Sequence, residues 1–387
     1  MILDETGEEI RPVEEAGAVE EVELDFGPRH PALQGVLRLK VRTDGDTVFD
    51  VTPVIGHQHR GIEKLFEIHP LEGGVSRAGR LDPAAGLAFV GAVEKLLGLA
   101  VPPRARFVRT LLAEIWRLAS HLLWLATHAA DVGIVAPAEP ALRGRELILE
   151  LLAALGGSAE APGLLLPGGL ARDLPAGWTG RCGELTETLP GTLDEIEGLL
   201  TDNRLWKKRT LGIGVLPPEV ALDLGVTGPL LRASGVSWDL RRALPTEAYG
   251  EVDFEVPVGT GGDAYDRYLV RVGEMRQSVR IVRQCLEKLP EGAVLALRPA
   301  AGPDLPLAER GAEVYHGVEG PRGEIGFHLV ADGLSSSKGT ERPSRCHVRS
   351  PSFVHLRVLP VICRGARVAD LVTLVGTIDI ALGEADR

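Results

Sequence analysis

RARFVRTLLAEIWRLASHLLWLATHAAD, residues 104–131, decides the fold. The stretch contains neither Gly nor Pro, so it reads as one uninterrupted helix about 40 Å long at ~1.5 Å per residue. Most of its surface is apolar. Yet Glu114, Arg117, His121, Trp124, His128 and Asp131 recur at steps of three and four, which places them on one stripe. A helix that is apolar nearly all round is buried on nearly all sides. Its polar seam must then pair with other chain groups or line a wet cavity, because an unpaired buried charge is costly.

Working outward, the chain before this helix alternates between strand and short-helix patterns. Residues 1–18 form an acidic lead without the basic and apolar regions of a signal peptide. From Val19 to Val54 the runs VEEVELDF and GVLRLKVRTDGDTVFDVTPVIG read as strands, with Thr43-Asp44-Gly45-Asp46 as a hairpin turn. Residues 62–68 and 87–99 read as helices, the second closed by a Pro pair. After the long helix, 143–155, 177–201 and 263–288 are helical, separated by loops rich in Gly and Pro. Strand-like runs return at 293–300, 312–333 and 345–349, and 365–375 is again helical. The expected class is α+β: a central bundle of long helices with small β-sheets at one end. Its expected divisions are the lead (1–18), an N-terminal β region (19–56), the helical bundle (57–290) and a C-terminal β region with a terminal helix and tail (291–387).

Composition narrows the function. Hydrophobic residues make up 44% and charged residues 25%, an ordinary folded balance. Lys plus Arg number 42 against 54 Asp plus Glu, a net charge of −12, so nucleic acid is not an expected partner. The four cysteines, Cys182, Cys285, Cys346 and Cys363, include no C-x-x-C pair. That argues against a ribbon-type zinc site or a local iron–sulfur motif and reads as reduced thiols. Any redox centre is expected on another chain. No run reaches the ~20 uncharged apolar residues of a membrane span; Asp370 and Asp379 interrupt one candidate.

GIGVLPP (212–218) and VGTGGDA (258–264) look superficially like phosphate loops, but neither completes G-x-G-x-x-G and both read as turns. Arg267, Arg271, Arg276, Arg280 and Arg283 could meet an anionic partner, though a solvated or salt-bridged helix face is the better reading. His30, His57 and His59 read singly as hydrogen-bonded structural histidines rather than metal ligands.

GPRHPALQGVLRL (27–39), IGHQHRGIEKLFE (55–67), the 92–133 run, 209–241, 253–278 and the tail from GEIGFHLVADG (323–333) through RSPSFVHLRVLP to GTIDIALGEADR carry a resemblance. Together they look like the D-type, or 49-kDa-type, subunit of NADH-quinone oxidoreductase (respiratory complex I), which is related to the large subunit of nickel–iron hydrogenases. The HRG-x-EK segment and the terminal DR are specific to it. The resemblance implies a peripheral subunit on the cytoplasmic face of the cell membrane. It would pack against an iron–sulfur subunit carrying a [4Fe–4S] cluster, with other peripheral-arm and membrane-arm subunits as further partners. Quinone would enter a cavity between the two as substrate, while NADH is oxidised on a distant subunit. No metal or cofactor is expected on this chain itself. The positions of the ancestral metal-binding cysteine pairs fall in DPAAGLAF (82–89) and DIALGE (379–384), and neither has a cysteine.

In the family, a histidine and a tyrosine grip the quinone headgroup. Here Gln34 stands at the histidine position of GPRHPALQG, with His30 at the earlier one, and Pro83 replaces the tyrosine of the RLDY segment. His59, Arg60, His121, His128 and Asp131 match. Asp131 normally sits behind the missing histidine, so it is expected to turn to His30 or His128. The candidate catalytic residues are therefore His30, Gln34, His59, Arg60, His128 and Asp131, with Gly35, Pro83, His121 and Arg349 lining the quinone cavity. The cavity beside Gln34 and Pro83 is expected to be open and partly apolar. Quinone reduction needs two protons at two carbonyl oxygens. Glutamine cannot give up a proton near neutral pH, and proline has no side-chain donor. Three readings follow: a divergent quinone-reducing subunit supplied with protons by other groups or water, a paralogous scaffold that has lost quinone chemistry, and a large-subunit homologue of a ferredoxin-linked ion-pumping complex.

Overall fold

The sheets and helices follow from local chemistry that the sequence displays, with a few boundaries moved by capping. The structure, a computed structural model, describes residues 20–26, 35–156, 163–296, 308–331 and 342–387. Strands β1 (Glu20–Phe26), β2 (Leu37–Asp44) and β3 (Thr47–Val54) form an antiparallel meander in which Asp44 pairs with Thr47. Gly45 supplies the left-handed turn between the last two, at φ +57°. Along β2, Leu37, Leu39 and Val41 are buried while Lys40 and Arg42 face out, the alternation of a sheet with one covered face.

The first of the two apolar helices spans Pro83–Leu97, starting four residues before the expected Leu87. Asp82 accepts a hydrogen bond from the Ala84 N–H at 2.8 Å, and Pro83 fits the first turn because its missing N–H would have no partner there. The long helix spans Pro103–Asp131 and is covered by the helices Ala138–Ala153 and Ala264–Glu287, so its seam is buried as expected from Glu114 to His128, with Asp131 at its end half-buried. The helix expected at 143–155 begins earlier, at Ala138. Trp178–Leu200 runs unbroken through Pro190.

A two-residue hairpin, β4 (Leu165–Leu166) with β5 (Gly169–Leu170), follows the 138–153 helix. Strands β6 (Glu313–Glu319), β7 (Glu324–Ala331) and β8 (Pro343–Arg349) form the second antiparallel sheet, which packs on the Pro83–Leu97 helix. Of the expected strand 293–300, the described part makes a single bridge from Leu295 to Gly169; the rest lies outside the described residues. Residues 365–367 are not helical as expected. They run along the edge of β3, where the Val48 N–H donates to the Ala366 carbonyl and the Gly365 N–H to the Val48 carbonyl, at 2.8 Å each. A single 3-10 turn, Val368–Asp370, then leads into the α-helix at Leu371. The class is α+β.

One apolar core fills the space between the long helices and the β6–β8 sheet; a second lies under β1–β3 and against the C-terminal tail. The turn between β6 and β7 is pressed against Thr227-Gly228. A Cβ on Gly323 would lie 2.6 Å from Thr227 Oγ1, and one on Gly228 would lie 2.5 Å from the Arg322 carbonyl. Both glycines have positive φ, so the close approach and the backbone shape each require glycine. Arg322, next to this contact, is buried.

Candidate functional site

The tail after Leu371 gathers the segments that the sequence marked. Its helix, Leu371–Ile378, docks on the long helix where the Trp124 indole donates to the Gly376 carbonyl at 2.8 Å. The chain then reverses at Asp379, a non-glycine residue in the left-handed region at φ +59°. Aspartate tolerates that conformation better than most residues. The reversal brings the Asp379 carboxylate to 3.4 Å from Arg322 Nε. From the other side Asp82 accepts from Arg322 Nη1 at 2.9 Å while its second oxygen caps Ala84. Glu384, in the short helix Leu382–Asp386, accepts from the Ser352 N–H at 3.0 Å and from the Ser352 hydroxyl. None of Asp82, Arg322, Asp379 and Glu384 is more than 8% exposed. Although burial works against its charge, Asp379 and Asp82 hold the Arg322 guanidinium more firmly protonated than usual. Burial raises the Glu384 carboxyl to about 7, against the pull of Arg322, with the Asp82 charge adding to the rise. Burial also raises Asp82, opposed by Arg322.

The seam of the long helix forms a second buried set. Glu114 accepts from Arg241 at 3.1 Å, from Arg117 at 3.3 Å and from the hydroxyls of Tyr249 and Ser278 at 2.6 Å each. Glu274 accepts from Arg232 at 2.6 Å and faces His121 Nε2 at 3.0 Å. Burial opposes both carboxylates. Even so, Arg117 and Arg241 hold Glu114 below its ordinary range, and Arg232 and His121 hold Glu274 well below. The seam thus pairs with other chain groups, and His121 belongs to this ionic core rather than to an open face.

His128 is packed differently. Its ring stacks on Trp124 at 5.1 Å and meets the edge of Trp206 at 5.6 Å. Neither ring nitrogen has a hydrogen-bond partner among the described residues. Burial first, then the charges of Arg271 and Arg267, lower it to about 3, so the ring is neutral. A Cβ on Gly376 would lie 2.6 Å from His128 Nδ1 and 3.6 Å from Asp131 Oδ2, so both side chains face that stretch of the tail. Of the two partners expected for Asp131, His128 lies close by with both ring nitrogens unbonded, and His30 lies outside the described residues. Arg271 sits 4.1 Å over the Trp124 ring, and Arg267 donates to the Gly214 and Gly262 carbonyls at 2.6 and 2.8 Å. Both are fully buried, which corrects the expectation of a solvated or salt-bridged face: it holds for Arg276, Arg280 and Arg283, which pair with Asp194 and Glu197, Asp253, and Glu187. The turn 258–264 instead ends in Asp263, which caps the arginine-bearing helix.

At the far end of the tail, Asp386 accepts from the Gly56 and Gln58 N–H groups at 2.7 Å each, and its carbonyl meets His59 Nδ1 at 2.7 Å. The Arg60 N–H donates to the Arg387 carbonyl at 3.2 Å. His59 and Arg60 are exposed, and His59 lines a groove of about 410 Å³ together with Glu63, His347, Phe353 and Arg387. Gly35 is buried against the tail: a Cβ there would lie 2.7 Å from the Leu382 Cβ and 3.0 Å from Gln58 Oε1. Arg349 stands apart, donating to the Glu324 and Gly225 carbonyls at 2.9 and 3.1 Å. Pro83 is half-buried, one residue from the Asp82–Arg322 pair. His30 and Gln34 lie outside the described residues, and so does the space beside Gln34.

The structure therefore brings Gly35, His59, Arg60, His128 and Asp131 onto one tail, reaches Pro83 only through the neighbouring Asp82–Arg322–Asp379 chain, and leaves His121 and Arg349 in other contacts. Sequence reasoning missed Arg322, Asp379, Glu384 and Ser352. The only sequence signal was a charged residue breaking an apolar run, which singled out Asp379 without a partner. Among the described residues no group of three His, Cys, Asp or Glu is placed to hold a metal ion, and no helix is long and apolar enough to cross a membrane.

Comparison with known proteins gives a consistent picture. Residues 131–306 and 306–387 match the family model "Respiratory-chain NADH dehydrogenase, 49 Kd subunit". The chain is 44% identical over 388 residues to the D-type NADH-quinone oxidoreductase subunit of Geotalea uraniireducens, covering 94% of this chain and 98% of that one. It is 43% identical to the subunit of the same name from Citrifermentans bemidjiense, covering 96% and 100% of the two chains. Against a further D-type subunit, from Thermodesulfovibrio yellowstonii, the identity is 41%, covering 94% and 96%.

Proposed function

The chain belongs to the family of the respiratory-chain NADH dehydrogenase 49 kDa subunit, and from that premise we propose that it forms one wall of a quinone-reduction chamber. The other wall belongs to an iron–sulfur subunit whose [4Fe–4S] cluster delivers the electrons. NADH is oxidised on a distant subunit, and the assembly sits at the cytoplasmic face of the membrane through its membrane-arm partners. The single observation that carries this reading is the convergence on one C-terminal tail of Gly35, the 56–60 loop, the Asp82-Pro83 step and the His128–Asp131 end of the long helix. A chamber wall needs such a junction, because it must hold loops from distant parts of the chain in register.

In this chamber the chain's loops position the quinone and exclude water. Gln34 can hydrogen-bond a quinone carbonyl, and His59 and Arg60 stand at an exposed edge; neither Gln34 nor Pro83 can donate a side-chain proton. The test is photo-crosslinking of an azido-quinone in the assembled, membrane-bound complex, together with NADH:quinone reductase activity. Label in peptides containing residues 27–35, 55–61 or 80–84, protected by excess quinone, is the expected result. A complex that assembles and oxidises NADH with ferricyanide, yet neither labels nor reduces quinone, would make this chain a scaffold. The loss of both usual headgroup donors at Gln34 and Pro83 is the specific observation favouring that second reading.

A further inference from the structure

We propose that Glu384, together with Asp82 and Asp379 around Arg322, is a buried proton-holding site that supplies one of the two protons consumed when quinone is reduced. The inference rests on the chamber reading above and names a proton source within it.

The argument begins with charge. Asp82, near the start of the Pro83–Leu97 helix, and two acids of the C-terminal tail, Asp379 and Glu384, lie around one guanidinium, and all four groups are buried. The next cation inward, Arg271, acts on Asp379 from the Ala264–Glu287 helix, and Arg117 acts on Asp82 from the long helix. Arg117 is already engaged with Glu114 and with the Glu319 and Gly320 carbonyls. His355, on the segment that carries Ser352, is neutral, lowered to about 3 by burial and the nearby arginines. The Asp386 carboxylate is taken up by two backbone N–H groups. Counting Arg322 and Arg271 against the three acids leaves one negative charge in excess. A buried set of this kind relieves the excess by holding a proton.

Geometry places the proton. Asp82 and Asp379 contact Arg322 directly, whereas the contacts of Glu384 are the Ser352 N–H and hydroxyl. The acid without a guanidinium contact is the one that holds the proton. Its elevation to about 7 agrees, because that value makes the group half protonated at neutral pH. The Ser352 hydroxyl is a donor and an acceptor at once, so it can relay a proton. Asp379 Oδ2 has no hydrogen-bond partner among the described residues.

Position links the cluster to the chamber. Asp82 immediately precedes Pro83, and Leu382, two residues before Glu384, touches Gly35. The cluster thus adjoins two candidate wall residues, Pro83 next to Asp82 in the chain and Gly35 against Leu382. In the step itself, two electrons arrive from the partner's iron–sulfur cluster. The Glu384 O–H bond breaks as an O–H bond forms on one quinone oxygen, with Ser352 as relay. The second oxygen takes its proton from solvent, and the carboxylate left behind is stabilised by Arg322 until solvent reprotonates it.

The experiment compares wild type, Glu384→Gln and Glu384→Asp in the assembled, membrane-bound complex. NADH:ferricyanide activity reports assembly and the upstream reaction; NADH:quinone activity reports the site. The expected result is that E384Q keeps its ferricyanide rate and loses about tenfold or more in quinone kcat with little change in KM. Wild type should slow as pH rises through about 7, E384Q should lose that limb, and E384D should restore both. An E384Q complex with wild-type quinone rate and pH profile would overturn the proposal. Wild type without any quinone reduction would instead overturn the chamber reading. Should E384Q fail to assemble, infrared difference spectra of the wild-type complex with isotope-labelled glutamate decide. A protonated buried glutamate seen at about pH 6 and lost by about pH 8 supports the proposal; its absence at the lower pH refutes it.

Discussion

Replacing Asp82 by Asn and by Ala separates two roles that its two oxygens play. One oxygen caps the Pro83–Leu97 helix through the Ala84 N–H at 2.8 Å; the other pairs with Arg322 at 2.9 Å. Asparagine keeps a capping oxygen and removes the charge, whereas alanine removes both. At 2.9 Å and an effective dielectric of ~20 the gross attraction to Arg322 is about 6 kcal/mol. Two things reduce its net worth: the carboxylate is buried, and Asp379 repels it. Orphaning a buried charge costs about 3–5 kcal/mol. Arg322 is not orphaned in D82N, because Asp379 remains at 3.4 Å. D82N should therefore cost about 1–2 kcal/mol, and D82A about 1 kcal/mol more for the lost cap. Chemical denaturation of the full chain measures both, and amide exchange at Ala84–Leu87 reports the cap alone. Equal stabilities for the two variants would show the cap to be idle. A loss of about 4 kcal/mol or more in D82N would show that Asp82 is Arg322's only effective partner, and the acid-rich description of the cluster would fall.

Other outcomes follow from the same geometry. Gly376→Val places a side chain 2.6 Å from His128 Nδ1 at the junction of tail and long helix, so it should cost about 1–3 kcal/mol and lower quinone activity more than ferricyanide activity. His128→Phe should keep neutral-pH stability within about 1 kcal/mol, since the ring nitrogens have no partner among the described residues. Its effect on acid stability has a definite sign. A histidine lowered to about 3 binds fewer protons folded than unfolded, so its contribution is intact above the unfolded value of ~6.5 and is lost as pH falls toward 3. Acid-unfolding curves should therefore show H128F unfolding at lower pH than wild type; a shift to higher pH would contradict the neutral, unpartnered ring. Gln34→His combined with Pro83→Tyr in the assembled complex should raise the quinone reductase rate if proton supply limits turnover, and an unchanged rate would mean that it does not. Tyrosine at position 83 replaces a first-turn residue whose backbone needs no N–H bond, so the helix should tolerate it.

The elements were legible wherever local chemistry is decisive. The long helix needed only its missing breakers and its apolar surface; the β2–β3 hairpin needed only Gly45 between alternating runs. Boundaries moved where a cap outweighed the apolar pattern, as at Asp82-Pro83, and where an edge pairing displaced a helix, as at 365–367. Arg267 and Arg271 are not legible as buried from the sequence, because charge on a helix resembles a solvated face until packing shows what covers it.

By itself the amino-acid sequence determined the α+β class, the burial of the polar seam and, through long matching segments, the family. These properties are written in contiguous runs, where period and spacing act over a few residues. Only the tertiary structure decided which charges meet. Asp82, Arg322, Asp379 and Glu384 come from a helix cap, a strand turn, a left-handed reversal and a terminal helix, and each alone is an ordinary polar residue. Their chemistry arises from mutual distance and from exclusion of water, and folding sets both by packing residues hundreds of positions apart.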